Sequence, residues 1–192
     1  SAHRCVLITE GSNNNQILNN IINCASVGNQ DEAILIQGGS NSNFNLIQNN
    51  EIWGGYYSIY VHGFDNYTLA KENRIIGNTI NQFESGGIIV ENQDSCQILN
   101  NTVNQNGPGY ALYAGYINNG FNISGNEIEM NSTSNIYGLY LDNINATGAF
   151  HSGTVSNNMI YLTGGGNASA MYLQNTQNTL FAYNTSYSDQ VG

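Results

Sequence analysis

The eight residues QILNNIIN, Gln16 to Asn23, return as QILNNTVN from Gln97 to Asn104. The shared pattern, apolar-x-x-Asn-x-apolar, also fills the space between and beyond these copies. It recurs as Ile17/Asn20/Ile22, Ile47/Asn50/Ile52, Ile75/Asn78/Ile80, Ile98/Asn101/Val103, Ile123/Asn126/Ile128 and Val155/Asn158/Ile160, then decays to Phe181/Asn184/Ser186. The mean period is about 27 residues, within the range of solenoid repeats. A unit of that length cannot bury its own apolar positions, so it must stack on its neighbours. A second series sits between the copies: CVLIT (5–9), AILIQ (33–37), SIYVH (58–62), GIIVE (87–91), ALYAG (111–115), GLYLD (138–142) and AMYLQ (170–174). Each opens on a small residue and then alternates apolar with variable positions, the period of a strand. The spacing predicts seven turns of coil with three strands per turn: one here, one before the repeated asparagine and one after it.

The asparagine column itself carries chemistry. The position before it holds Asn19, Asn49, Gly77, Asn100, Gly125, Asn157 and Tyr183, and exchange of Asn with Gly is what a left-handed backbone selects. The column proper, Asn20, Asn50, Asn78, Asn101, Asn126, Asn158 and Asn184, never exchanges with glycine, so its side chain is needed. Stacked amides hydrogen-bond along a coil and satisfy turn groups that would otherwise be buried unpaired.

On these residues the chain resembles the right-handed parallel β-helix proteins of the pectate-lyase-like superfamily, whose tight turn between second and third strands carries an asparagine ladder. The resemblance spans residues 5–188. It implies an all-β, right-handed parallel β-helix, treated as a single domain over 1–192 that belongs to a longer protein or an assembly. The architecture hosts lyases, glycosidases, epimerases, tailspikes and adhesins, so function must be argued from the site.

Charge narrows the ligand. The net charge is −10, and Arg4, Lys71 and Arg74 are the whole complement of lysine and arginine. Nucleic acid and anionic membranes are excluded as partners because both require a basic surface. No apolar run approaches the length of a membrane span. The start at Ser1 without methionine reads as a piece of a longer, processed product, and the class as extracellular or displayed on a cell or virion surface. No cofactor is expected. Cys5, Cys24 and Cys96 lack zinc-type spacing, and Asp31, Glu32, Asp65 and Asp94 read as scattered turn acids, so no metal site is expected. His3 and His151 read as loop residues.

The resemblance places polysaccharide along the outward face of the first strands. One outward column there holds Leu7, Leu35, Tyr60, Ile89, Tyr113, Tyr140 and Tyr172, and the next holds Thr9, Gln37, His62, Glu91, Gly115, Asp142 and Gln174. Rings stack on sugar faces while hydroxyls and carboxylates take hydrogen bonds. Tyr60, His62, Glu91, Tyr113, Tyr140, Asp142 and Tyr172 are therefore the candidate glycan-binding residues, and a neutral polysaccharide or cell-surface glycan is the expected partner. An aromatic ladder that only stabilises the sheet is the plainer alternative. Glu91 and Asp142 stand two turns apart, about 9–10 Å, with Gly115 expected to leave a notch between them. That separation is at the upper edge for the acid and base of an inverting glycosidase, so these two are the catalytic candidates of an alternative enzymatic reading. The paired aspartates and Arg-x-Lys of polygalacturonases, the Asp-Pro-His of alginate epimerases and the cations of polyuronate lyases are missing. Long excursions at 63–73 and 143–153 are expected to wall the face.

The ends supply a third reading, a structural shaft, adhesin or filament subunit. Val6, Ile8, Ile17 and Ile22 are expected to look for cover at the first turn, either from a preceding cap or from the polar-edged last turn of another copy. Cys5 and Cys24 belong to the same turn and could form a disulfide; Cys96, three turns on, could not reach either.

Overall fold

The structure, a computed structural model, describes residues 3–25, 31–38, 42–145, 151–164 and 166–189. They form a right-handed parallel β-helix with three sheets running its length. The first sheet takes one strand from each turn: Arg4–Thr9, Glu32–Gln37, Tyr57–His62, Gly86–Asp94, Gly109–Asn118, Ile136–Asp142 and Ala168–Gln174. The short strand Ala70–Lys71 adds to it by pairing with Gly86–Asp94. The second sheet runs from Gln16–Leu18 to Thr179–Ala182 and the third from Ile21–Cys24 to Thr185–Ser188, with seven strands each.

The register is the one the repeat dictates. Ile17, Ile47, Ile75, Ile98, Ile123, Val155 and Phe181 pair in succession along the second sheet. Ile22, Ile52, Ile80, Val103, Ile128, Ile160 and Ser186 do so along the third. Their side chains meet the inward residues of the first sheet, among them Ile34, Ile36, Ile59, Ile88, Leu112 and Leu139, in one continuous core. Each fully buried Ile or Leu contributes roughly 1.5–3 kcal/mol relative to exposure.

The corner between second and third sheets shows why asparagine is required. From Asn50 onward each ladder oxygen accepts twice from the turn before. Asn50 Oδ1 takes the backbone N–H of Asn20 at 3.0 Å and its Nδ2 at 2.9 Å, and the arrangement repeats up to Asn184. From Asn50 onward each Nδ2 also donates to a second-sheet carbonyl one turn back, as Asn101 does to Ile75 O at 3.0 Å, while Asn20 Nδ2 uses Leu18 O of its own turn. The five members from Asn50 to Asn158 are buried. The preceding position is left-handed in all seven turns, with φ between 54° and 67°, Tyr183 included. Its N–H donates to the next turn, as Asn100 N does to Ser124 O at 2.9 Å. At Gly125 a Cβ would lie 2.2 Å from Asn100 Oδ1, so a side chain there would require the Asn100 amide to move.

A second corner repeats the device with different residues. Asn14, Phe44, Glu72, Ser95, Gly120 and Asn178 are left-handed between first and second sheets. Behind them Asn15, Asn45 and Asn73 form a shorter amide ladder, which Gln93 Oε1 ends by accepting from Asn73 Nδ2 at 2.8 Å. Past that point the column becomes apolar, with Cys96 and Phe121 buried. Gly153 follows because a Cβ there would overlap the Phe121 ring, 1.9 Å away.

Several expectations change. Two first-sheet strands run on past the C-terminal ends of their windows, because left-handed Asn92 and Tyr116 bend the chain without ending the pairing. Asp31 and Glu32 are buried rather than loose turn acids: Asp31 accepts from His3 N at 2.7 Å, and Glu32 meets Arg4 at 2.8 Å. His3 is thereby tied to the second turn. At the first turn Ile17 and Ile22 are already covered by the coil, while Val6 and Ile8 are partly buried. Both end turns expose large apolar side chains, Leu7, Leu18 and Ile21 on the first and Leu173, Leu180, Tyr183 and Tyr187 on the last, so the last turn is not uniformly polar.

Replacing Asn101 by Ala leaves the backbone N–H of Asn78 and the carbonyl of Ile75 without their partner. It should lower unfolding free energy by about 1–3 kcal/mol, read from urea denaturation. The same change at Asn104, on the outer face, should have less effect.

Candidate functional site

The outward face of the first sheet is built from three columns. Two are those anticipated: Leu7, Leu35, Tyr60, Ile89, Tyr113, Tyr140 and Tyr172 pair in order, as do Thr9, Gln37, His62, Glu91, Gly115, Asp142 and Gln174. The third lies three residues before the first in each strand, past the buried small residue (Ser58, Gly87, Ala111, Gly138), and holds Glu32, Tyr57, Gly86, Tyr110, Tyr137 and Ser169.

Toward the C-terminal turns the rings close on one another. Tyr110 stacks on Tyr137 with centroids 5.1 Å apart, Tyr113 meets Tyr140 at 5.3 Å, and Tyr140 meets Tyr172 at 4.6 Å. On the other side Tyr57 and Tyr60 form their own edge-to-face pair at 5.3 Å. Between the two groups the ladder is interrupted, because the intervening strand offers Gly86 and Ile89. The result is a cavity of about 360 Å³ lined by Tyr57, Tyr60, Ile89, Glu91, Tyr110, Tyr113 and Tyr140. Gly86 permits it: a Cβ there would lie 2.5 Å from Ile89 Cδ1 and 2.9 Å from Tyr57 Cδ1.

Glu91 provides the polar element, its Oε2 accepting from the Tyr60 hydroxyl at 2.6 Å. Burial pushes the Tyr60 phenol well above its ordinary range, and the hydrogen bond to Glu91 and its charge push further. Burial likewise raises Tyr113, with Glu91 and Asp142 adding to it. Tyr57, Tyr110 and Tyr140 are raised chiefly by burial. All five present neutral hydroxyls at physiological pH.

Of the candidates, Tyr60, Glu91, Tyr113 and Tyr140 meet in the cavity. His62, Asp142 and Tyr172 share the face but do not line it: His62 Nε2 faces Asn92 Nδ2 at 3.3 Å, Asp142 Oδ1 accepts from Asn143 at 2.9 Å, and Tyr172 packs on Tyr140. Gly115 does not leave an open notch. The Tyr113 hydroxyl lies over it, 2.7 Å from where a Cβ would stand, between Glu91 and Asp142. The 63–73 excursion contributes nothing to the lining. Residues 146–150 of the other excursion lie outside the described residues.

Cys5 and Cys24 are free thiols lining a separate cavity with His3, Arg4, Asn23 and Ala25. Burial and the neighbouring Cys5 push the Cys24 thiol up to about 12.

The architecture and its aromatic face define a parallel β-helix repeat protein. Residues 39–192 match the NosD family, described as periplasmic copper-binding protein, and the chain belongs to that family. No curated protein and no solved structure matches it. The donors in the matched segment do not fit a copper site. Cys96 and Met130 are separately buried in the core, Met159 is on the outer surface, and no three His, Cys, Asp or Glu side chains converge among the described residues. The two thiols that lie together, Cys5 and Cys24, are outside the matched segment.

The tyrosines set a pH limit. A phenol whose folded value is raised contributes stability that is complete below its unfolded value, about 10, and lost as pH climbs through the folded value. Urea-unfolding free energy should therefore fall above about pH 10. A Tyr60→Phe/Tyr113→Phe variant should fall less steeply over the same window.

Proposed function

We propose that this chain is an exported β-helix module that holds a glycan lacking anionic groups along its first sheet, with the tyrosine cavity as the central subsite. One observation carries the reading: the ring ladder is broken at Gly86 and Ile89, so the tyrosines there line a space instead of closing on each other. Tyr60 and Tyr113 occupy positions two strands apart, about 9–10 Å. A sugar ring between two aromatic surfaces requires about 3.5–4 Å on each side, so one pyranose matches the gap. Ile89 offers an apolar floor, and the phenols and Glu91 offer hydrogen bonds, the mixture that orients a sugar. The charge of −10 opposes polyuronates and other polyanions. The description of the family as periplasmic supports export, and cell fractionation of the parent protein would assign the compartment.

A hydrolase is the weaker reading, because the Tyr113 hydroxyl stands between Glu91 and Asp142, where an inverting mechanism requires a water. A screen of soluble oligosaccharides by calorimetry, run alongside a reducing-sugar assay, separates the two. Binding without release of reducing ends is expected. Tyr113→Ala should weaken affinity by about 1–2 kcal/mol through loss of one stacking surface, with the fold retained by circular dichroism. Release of sugar that Glu91→Gln and Asp142→Asn each abolish would replace the binding module with an enzyme.

A further inference from the structure

The chemistry of the cavity narrows the ligand further. Glu91 is half-buried at one end of an aromatic enclosure, and its partner there is the Tyr60 hydroxyl, a neutral donor. No cation faces it among the described residues. Arg4 is engaged by Glu32, Lys71 belongs to the strand that pairs beyond Glu91 at Asp94, and Arg74 is exposed on the second sheet. His62, the neighbour of Glu91 in its own column, turns its Nε2 to Asn92. Around the rest of the space stand Tyr57, Tyr60, Tyr110, Tyr113 and Tyr140. The π-faces of such rings attract cations, most strongly where water is displaced. A carboxylate lacking a cation, set into a group of neutral phenols, has the composition of an ammonium-binding cage.

We propose that this cavity binds an ammonium group, and, resting on the glycan reading above, that the group is the free amine of a hexosamine within the bound oligosaccharide. The amine would pair with Glu91 and lie against the rings of Tyr60 and Tyr113, while the sugar carrying it contacts Ile89. An N-acetylated sugar carries no charge at the same position and leaves Glu91 without a counter-ion. The alternative source of the same chemistry is a quaternary ammonium that is not part of a sugar.

Calorimetry of the full chain with four probes distinguishes these outcomes: a glucosamine tetramer, an N-acetylglucosamine tetramer, a glucose tetramer and tetramethylammonium. The expected result is that the glucosamine tetramer binds at least about ten-fold tighter than either uncharged tetramer, the worth of one charged hydrogen bond. Glu91→Gln should bring that ratio close to one. It keeps the side-chain shape and an acceptor for Tyr60, and its folding is checked by thermal denaturation. If the variant does not fold, the wild-type ratio measured at about 0.01 M and about 1 M salt replaces it, and the preference should shrink as charge is screened. Equal binding of charged and uncharged tetramers overturns the ammonium site and leaves the glycan reading standing. Tetramethylammonium bound in a Glu91-dependent manner, with no tetramer bound, upholds the cage and overturns the glycan reading. No binding by any probe overturns both.

Discussion

The structure depends on one hydrogen-bonding arrangement, the amide of each ladder asparagine shared among three turns. A solenoid must change direction at every corner, and a tight corner places backbone groups where water cannot reach them. A left-handed residue makes the bend and aims its N–H at the next turn, as at Asn49 and Asn100. The following asparagine serves the groups that the bend would leave over. Its oxygen takes an N–H and an Nδ2 from one side, while its own Nδ2 divides between the next oxygen and a carbonyl one turn back. Serine could not supply two donors on one nitrogen, and aspartate would stack like charges at strand spacing. Because every member is satisfied by its neighbours, the turns hold a common register, and the isoleucine columns on either side follow from it.

That requirement explains which features were legible in the sequence. The ladder beginning at Asn20 was readable because one chemical solution serves every turn. The first-to-second-sheet corner was not. There the left-handed position is filled by Asn14, Phe44, Glu72, Ser95, Gly120 and Asn178, and the buried position behind it passes from Asn15, Asn45 and Asn73 to Cys96 and Phe121. An amide ladder and an apolar stack are interchangeable solutions to covering that corner, and a column that changes solution midway shows no repeat. The outer face was legible in part for a different reason. Starting each strand at its small residue, Ser58, Gly87, Ala111 or Gly138, placed Tyr60 and Tyr113 correctly but lost the column one step earlier. Tyr57, Tyr110 and Tyr137 are on that column, and the first two complete the lining of the cavity.

The rigid coil then lets single outward substitutions shape a site without consequence for the core. Ile89 alternates with the buried Ile88 and Val90, and the inward Gly87 breaks the alternation so that Gly86, three residues before Ile89, returns to the outer face; the two can interrupt the rings while Ile88 and Val90 remain buried. The same columns accordingly give a closed ladder at Tyr140 and Tyr172 and an open space at Tyr60 and Tyr113. The two residues responsible for the difference are small or aliphatic, which is why aromatic composition alone does not locate the site. The 63–73 excursion, of the kind that on a scaffold usually carries function, supplies none of the cavity's lining.

The distribution of scarce cations argues that the solitary state of Glu91 belongs to the site. In a chain this poor in basic residues an unpaired carboxylate could follow from shortage alone. Yet where a buried acid requires a partner, one is present: Glu32, 6% exposed, meets Arg4, and Asp31, 1% exposed, accepts from the backbone N–H of His3. Burying a carboxylate without compensation is costly, and those two pairs answer that cost. Glu91 escapes it differently, keeping part of its surface in the cavity and taking a hydrogen bond from a phenol whose proton is held firmly by burial. A neutral donor of that kind steadies the carboxylate without cancelling its charge. The field at the mouth of the cavity therefore remains negative, and in the restricted dielectric among the rings it acts on an entering group more strongly than it would in open water. On the proposed reading, an anionic sugar would meet repulsion there, an uncharged one would meet rings and a floor, and an ammonium would gain from the charge as well as from both.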